Sequence, residues 1–137
     1  MGLKVTCAIV EQNDRVLVTQ RNKHMSQAML WEFPGGKLEI DETEKECVRR
    51  ELKEELQIEV EPIHQLAPVE HTYSDKDIIL IPFVCQYTSG NVSLAEHNAY
   101  QWAELSDLTS YDWCPADIPV VEQYLQFKAS MSGGESA

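Results

Sequence analysis

Three observations predict a mixed α/β sandwich, with helices on both faces of a sheet. Short β-branched segments recur along the chain. One strongly patterned helix lies near the middle and a second near the C-terminus. No repeat of about 20–50 residues interrupts that order. The chain has 137 residues, which bounds it to a single domain. That domain is expected over 1–129, and the small polar stretch SMSGGESA over 130–137 reads as a disordered tail.

Taken in order, 3–10 (LKVTCAIV) is apolar and β-branched, and 15–20 (RVLVTQ) follows the turn cluster Glu11-Gln12-Asn13-Asp14, so 3–20 reads as a β-hairpin. Residues 21–31 read as a loop, and Pro34-Gly35-Gly36 is strong punctuation. The clearest helix spans 43–56. Thr43 and Glu46 form a Thr-x-x-Glu capping box, and Val48, Leu52 and Leu56 make one apolar stripe. A strand is expected from 58 with its continuation to 70, a turn over 71–77, a long buried strand over 78–87 and a short one over 102–105. A closing helix is expected over 115–127.

The chain carries 11 Lys and Arg against 23 Asp and Glu, a net charge of −12. A nucleic-acid duplex or an anionic membrane needs a basic footprint, so neither is expected as the main partner. Residues 61–137 alone hold 2 basic and 11 acidic side chains, which read as solvating surface. No apolar run approaches the roughly 20 residues of a membrane span, and the first dozen residues lack the apolar core of a signal peptide. The four cysteines, at 7, 47, 85 and 114, have no zinc or redox spacing and read as buried thiols of a cytoplasmic protein.

The acid in the central helix is patterned. At about 100° per residue, with Glu51 at zero, Glu55 falls near 40° and Glu54 near 300°. These three carboxylates crowd one face beside the buried stripe, while Glu46, Arg49 and Lys53 lie away from it. Like charges one turn apart repel. A hard divalent cation would compensate them, because Mg²⁺ takes oxygen ligands; a solvated charged face is the structural alternative.

The surrounding spacing is Gly36, five residues, Glu42, seven residues, Arg50-Glu51-Leu52, one residue, Glu54-Glu55, one residue, Gln57 and Ile58. It resembles the box of the Nudix family at six fixed positions: Gly36, Glu42, Arg50, Glu51, Glu54 and Glu55. A chance match somewhere in the chain has odds on the order of 10⁻⁵. Gln57 departs from the pattern, which has glycine there, and puts in doubt the left-handed turn that ends the helix. The resemblance implies a Nudix-type α/β/α sandwich with a mixed β-sheet. It also implies metal-assisted hydrolysis of a diphosphate linkage with Mg²⁺, Mn²⁺ being a substitute. Glu51, Glu54, Glu55 and the Gly35 carbonyl would hold the metal, and Arg50 would orient the carboxylates by pairing with Glu42. Glu51 is the first choice for general base, with Glu55 and Glu96 as alternatives. Glu96 is the loop carboxylate that the family places to bind metal or water.

The resemblance runs on through Leu17-Val18-Thr19-Gln20-Arg21, Leu30-Trp31-Glu32-Phe33-Pro34-Gly35-Gly36-Lys37 and Trp113-Cys114-Pro115-Ala116-Asp117-Ile118-Pro119. These segments are similar to the MutT-type nucleoside triphosphate pyrophosphohydrolases, over roughly residues 3–127. They imply cleavage of an oxidised or modified dNTP such as 8-oxo-dGTP, or of CTP or dCTP, to the monophosphate and pyrophosphate. That activity belongs to nucleotide-pool sanitation in support of DNA replication and repair, carried out by a monomer or dimer on a small-molecule partner. The Ala-Asp-Ile-Pro run resembles the CTP-cleaving branch, where the 8-oxo-guanine branch has Asn in place of Asp117. Ionised Asp offers only acceptors to a base edge, whereas Asn offers a donor and an acceptor, and burial could protonate Asp117 into an Asn mimic.

The same mapping places Arg21, Phe33, Lys37 and Lys76 around the nucleotide. Each has a plain structural reading too: a surface Arg at a strand end, a core ring, and solvated lysines. Asp117 could simply cap the closing helix. His71 and His97 read as loop histidines. Tyr73, sixteen residues past Gln57, leaves room for a dinucleoside polyphosphate substrate. A non-catalytic nucleotide-sensing module and an acidic interaction domain are the readings from other classes.

Overall fold

The alternation over 3–10 builds the central strand of the sheet. The computed structural model describes residues 2–73 and 76–136. In β1 (Leu3–Gln12), Cys7 and Ile9 face one core while Ala8 and Val10 face the other. Asn13 and Asp14 turn the chain with φ of 53° and 63°, the left-handed pair that suits a tight hairpin, into β2 (Arg15–Gln20). Beyond β2 lie β3 (Trp31–Glu32) and β8 (Ala99–Glu104), both antiparallel to it. On its other side β1 runs parallel to β7 (Lys76–Ser89), pairing residues 3–11 with 78–86. β7 in turn pairs antiparallel with β5 (Glu59–Gln65) and with β6 (Val69–Tyr73). The sheet is therefore mixed, as the sandwich reading requires.

Each sheet face carries one helix. Val48, Leu52 and Leu56 of α1 (Glu44–Leu56) are fully buried with Ala8, Val10 and Leu17. Val120, Val121 and Tyr124 of α2 (Ile118–Ser136) pack with Ile9, Val16 and Val18 on the other face. The layers are α/β/α.

Several boundaries differ from the sequence reading. Residues 71–73, read as turn, extend β6, while 74 and 75 lie outside the described residues. The strand expected over 102–105 begins at Ala99, and Leu105–Ser110 forms a 3₁₀ turn. Gly35–Lys37, read only as punctuation, is a short strand, β4, antiparallel to Val5, Thr6 and Cys7. The closing helix begins with a 3₁₀ turn at Pro115–Asp117. It carries through residues read as a polar tail, and Ala137 lies outside the described residues. All four cysteines are buried and free. No described helix is long and apolar enough to cross a membrane.

The capping box forms as expected: the Glu46 N–H donates to Thr43 Oγ1 at 3.1 Å, and the Thr43 N–H donates to Glu46 Oε1 at 2.8 Å. The helix also ends in the left-handed turn that Gln57 had put in doubt. Gln57 adopts φ 59°, ψ 32°, and its N–H donates to the Lys53 carbonyl. A side chain in this region is strained relative to glycine. We expect Gln57→Gly to raise the unfolding free energy by about 1 kcal/mol, read as a higher urea midpoint at unchanged slope. A lower midpoint would show that the turn is not strained.

Candidate active site

Two glycines let the loop before α1 sit against β1 and under the helix. A Cβ on Gly35 would meet the Thr6 carbonyl oxygen and lie 2.7 Å from Cys7 Cα. A Cβ on Gly36 would lie 2.5 Å from both Glu51 carboxylate oxygens. The chain thus brings the loop backbone and the first glutamate of the acidic face into direct contact. Cys47, one turn earlier on α1, braces the same loop with its thiol 3.4 Å from the Lys37 carbonyl and 3.2 Å from Thr6 Oγ1.

Arg50 organises the carboxylates. Its Nε and Nη2 donate to the two oxygens of Glu42 at 2.6 and 3.1 Å, a bidentate pair. Its Nη1 donates to Glu51 at 3.0 Å and to Glu54 at 3.1 Å. Nη2 also donates to the Lys37 carbonyl at 3.1 Å, which ties the glycine loop to the helix. The hydrogen bond from Arg50 holds the Glu42 carboxyl down at about 2. The pairing of Arg50 with Glu42 expected from the resemblance is present.

Burial pushes the Glu51 carboxyl above its usual range. It carries Glu55 further, up to about 7, with the neighbouring charges of Glu51 and Glu32 raising it and His97 opposing. Glu55 Oε1 is buried without a hydrogen-bond partner among the described residues. That orphaned oxygen fits a hard cation, as does a donor set made only of carboxylate and carbonyl oxygens. Among the described residues, though, no three acidic, His or Cys side chains converge on one point. Arg50 is the positive charge that lies between Glu51 and Glu54.

The raised Glu55 pKa has a sign. A carboxyl that binds its proton more tightly folded than unfolded contributes stability below its unfolded value of 4.5, and this is lost as pH rises through about 7. In divalent-free buffer the melting temperature should therefore fall between those two values. Glu55→Gln should flatten that fall; an unchanged slope would place its cause elsewhere. Buried Asp117 shifts in the same direction, so part of the slope survives.

Beside the glutamates opens a cavity of about 520 Å³, a size suited to a nucleotide-scale ligand. Gly35, Gly36 and Glu55 line it together with Phe33, Tyr73 and Asp117. Asp117 closes the 3₁₀ turn that runs into α2 and accepts the Phe33 N–H on Oδ1 at 3.1 Å. Burial raises its carboxyl well above the usual range. The Phe33 ring is core, 4.8 Å from the Trp113 ring, while its backbone meets Asp117. The Tyr73 hydroxyl accepts the Ala116 N–H at 2.9 Å and so holds the turn that carries Asp117. Exposed Lys37 and Lys76 line the same cavity.

Two expected residues are placed differently. Glu96 is exposed and, like Glu51 and Glu54, does not line the cavity, although the adjoining Ala95 N–H donates to the Glu55 carbonyl at 3.1 Å. Its neighbour His97, read as a loop residue, is buried and does line it, with Nε2 2.9 Å from Glu32 Oε2. Arg21 lines the cavity too, but its guanidinium donates to Ser26 and Glu32. Neither Glu32 nor His97 stood out in the sequence. The only signal was position, Glu32 beside the glycine pair and His97 beside Glu96. A larger groove of about 690 Å³, lined by Glu11, Arg15, Glu104, Tyr124 and Lys128, holds none of the expected residues.

Known proteins resemble the chain over most of its length. The model of the NUDIX domain matches residues 2–124. The CTP pyrophosphohydrolase of Escherichia coli is 34% identical over 128 residues, covering 93% of this chain and 95% of that protein. The 8-oxo-dGTP diphosphatase of the same organism is 30% identical over 120 residues, covering 87% and 93%. Among solved structures, the E. coli ORF135 protein superposes with a TM-score of 0.81 at 34% identity, covering 93% of this chain and 91% of its own. A MutT protein from Methanosarcina mazei does so at 0.83 and 26%, covering 92% and 94%.

Proposed function

The chain belongs to the NUDIX family, and from that premise we propose that it hydrolyses a nucleoside triphosphate to the monophosphate and pyrophosphate with Mg²⁺. It is a hydrolase of phosphorus anhydrides, the class in which its curated relatives are named. One observation carries the finer reading: a single cavity is lined by Gly35, Gly36 and Glu55 and also by Phe33 and Asp117. An anhydride and a base can thus be held together.

Glu51, Glu54, Glu55 and the Gly35 carbonyl would hold the divalent ion. When bound, such an ion neutralises phosphate charge and lowers the pKa of a water. Arg50 keeps Glu42, Glu51 and Glu54 in fixed relation to the glycine loop. Glu51, half-buried against Gly36, takes the proton of the attacking water. Lys37 and Lys76 supply positive charge at the cavity rim.

Asp117 reads the base. One of its oxygens is committed to Phe33, which leaves the other for the ligand. As a neutral acid that oxygen donates, and as a carboxylate it accepts. The Asn variant keeps the Phe33 bond and presents only donors. We therefore expect Asp117→Asn to move the ranking among 8-oxo-dGTP, CTP, dCTP and 5-substituted dCTP away from cytosine, whose exocyclic amino group needs an acceptor. Metal dependence should not change. A neutral Asp117 already donates as Asn does, so only an unchanged ranking in both Asp117→Asn and Asp117→Ala would put Asp117 outside the base contact.

A further inference from the structure

The loop of residues 22–30 contributes Met25, Ser26 and Gln27 to the cavity wall. Gln27 and Met29 hold left-handed φ values of 55° and 65° without being glycine. Such residues persist only where surrounding contacts fix them. Met29 is held by Gln20, whose Nε2 donates to its carbonyl at 3.0 Å, and the Gln27 carbonyl accepts the Leu30 N–H, while Ser26, next to Gln27, is gripped by one side chain. Arg21 Nε donates to the Ser26 carbonyl at 2.6 Å, Nη2 to Ser26 Oγ at 3.2 Å and Nη1 to Glu32 Oε1 at 3.0 Å. The Arg21 backbone closes the loop's other end, donating to the Leu30 carbonyl and accepting from the Met29 N–H.

The tie continues inward. Glu32 Oε2 meets the almost fully buried His97 at 2.9 Å. The His97 loop is joined to the first loop by Asn22 Nδ2 donating to the Glu96 carbonyl, and by Asn98 bonding to Gln20 through backbone and side chain. It is joined to the end of α1 by the N–H groups of Ser93 and Ala95, which donate to the carbonyls of Leu56 and Glu55.

We propose that Arg21 is a positioning residue that sets the base specificity of the cavity by holding the wall of Met25, Ser26 and Gln27, and that it is not a phosphate ligand. Its fork is already directed at the loop and at Glu32, and a bidentate fork of this kind has no lysine equivalent. The substrate part rests on the triphosphate reading above; the positioning part does not.

The test compares Arg21→Lys, which keeps the charge, with Arg21→Ala and with Glu32→Gln, which removes the charge of the far anchor and so weakens it. In the free protein, amide exchange over residues 22–30 should quicken about tenfold in both Arg21 variants, with the α1 core unchanged. Discrimination between the best and worst triphosphate should fall about tenfold in Arg21→Lys and Glu32→Gln alike. Inhibition by inorganic tripolyphosphate should match the wild type in all three. Unchanged exchange in Arg21→Lys overturns the proposal. So does wild-type discrimination in Arg21→Lys, or a tripolyphosphate inhibition constant that rises only when the charge is lost. If the wild type cleaves no triphosphate, the functional reading fails, and the exchange measurement still decides the role of Arg21.

Discussion

Replacing Glu54 with Gln is expected to lower turnover by about 10²–10³-fold at saturating substrate and Mg²⁺ while the melting temperature barely moves. The Glu54 side chain is 60% exposed, and its hydrogen bond is to Arg50 at 3.1 Å. Surface substitutions of that kind cost about 0.5 kcal/mol or less. The loss at the site is larger. A carboxylate that holds the ion contributes to several kcal/mol of charge stabilisation, and each 1.4 kcal/mol or so is tenfold in rate. Steady-state kinetics beside a thermal melt separate the two. Near-normal turnover would remove Glu54 from the metal site, and a collapsed melt would make it structural.

Gly35→Ala carries the largest expected cost in stability, about 3 kcal/mol. The added Cβ would run into the Thr6 carbonyl and Cys7 Cα, both backbone of the central strand, which cannot rotate away. Either β4 leaves β1 or the sheet bends. Urea unfolding should show the loss, and turnover should fall with it because Gly35 and Gly36 position the loop under Glu51. Gly36→Ala is the informative contrast. Its Cβ would meet the Glu51 carboxylate, the end of a side chain, so the fold should survive while turnover falls. A Gly35→Ala protein as stable as the wild type would mean that β4 is not held against β1 as described.

What was legible in the sequence was local or rigidly spaced. Thr43 and Glu46 announce the start of α1 because both partners of the cap lie within one turn. Val48, Leu52 and Leu56 fix the buried face by periodicity alone, and Glu51, Glu54 and Glu55 then fall beside it. The edge strands were less legible. β4 exists because Gly35–Lys37 meets Val5, Thr6 and Cys7 some thirty residues away in sequence, and a Gly-Gly-Lys segment has no strand propensity of its own. β6 and β8 extend past their expected ends because β7 and β2 supply partners. Gln57 shows the converse case. The tertiary structure imposes a left-handed turn on a residue that does not favour it.

The candidate site divides in the same way. The glutamates and Arg50 sit on one helix, so their spacing fixes their mutual placement. Glu96 and His97 are adjacent on a loop, where one residue of register decides which side chain turns inward, and His97 is the one that does. Arg21 was legible as a residue of the candidate site, and it does line the cavity, but the use of its donors was not legible. The residues that occupy its donors, Ser26 and Glu32, come from a loop and a two-residue strand whose shapes depend on Arg21 itself.

The central claim is that the Arg50-organised glutamates and the Asp117 cavity together cleave a nucleoside triphosphate between its α and β phosphates. Product identification tests it most directly. The purified protein is incubated with 8-oxo-dGTP, CTP, dCTP and 5-substituted dCTP, with Mg²⁺ or with EDTA. The expected result is monophosphate and pyrophosphate in equal amounts from at least one of them, only with Mg²⁺, and none from Glu54→Gln on the same timescale. Diphosphate with orthophosphate, or no cleavage of any triphosphate by the wild type, would contradict it.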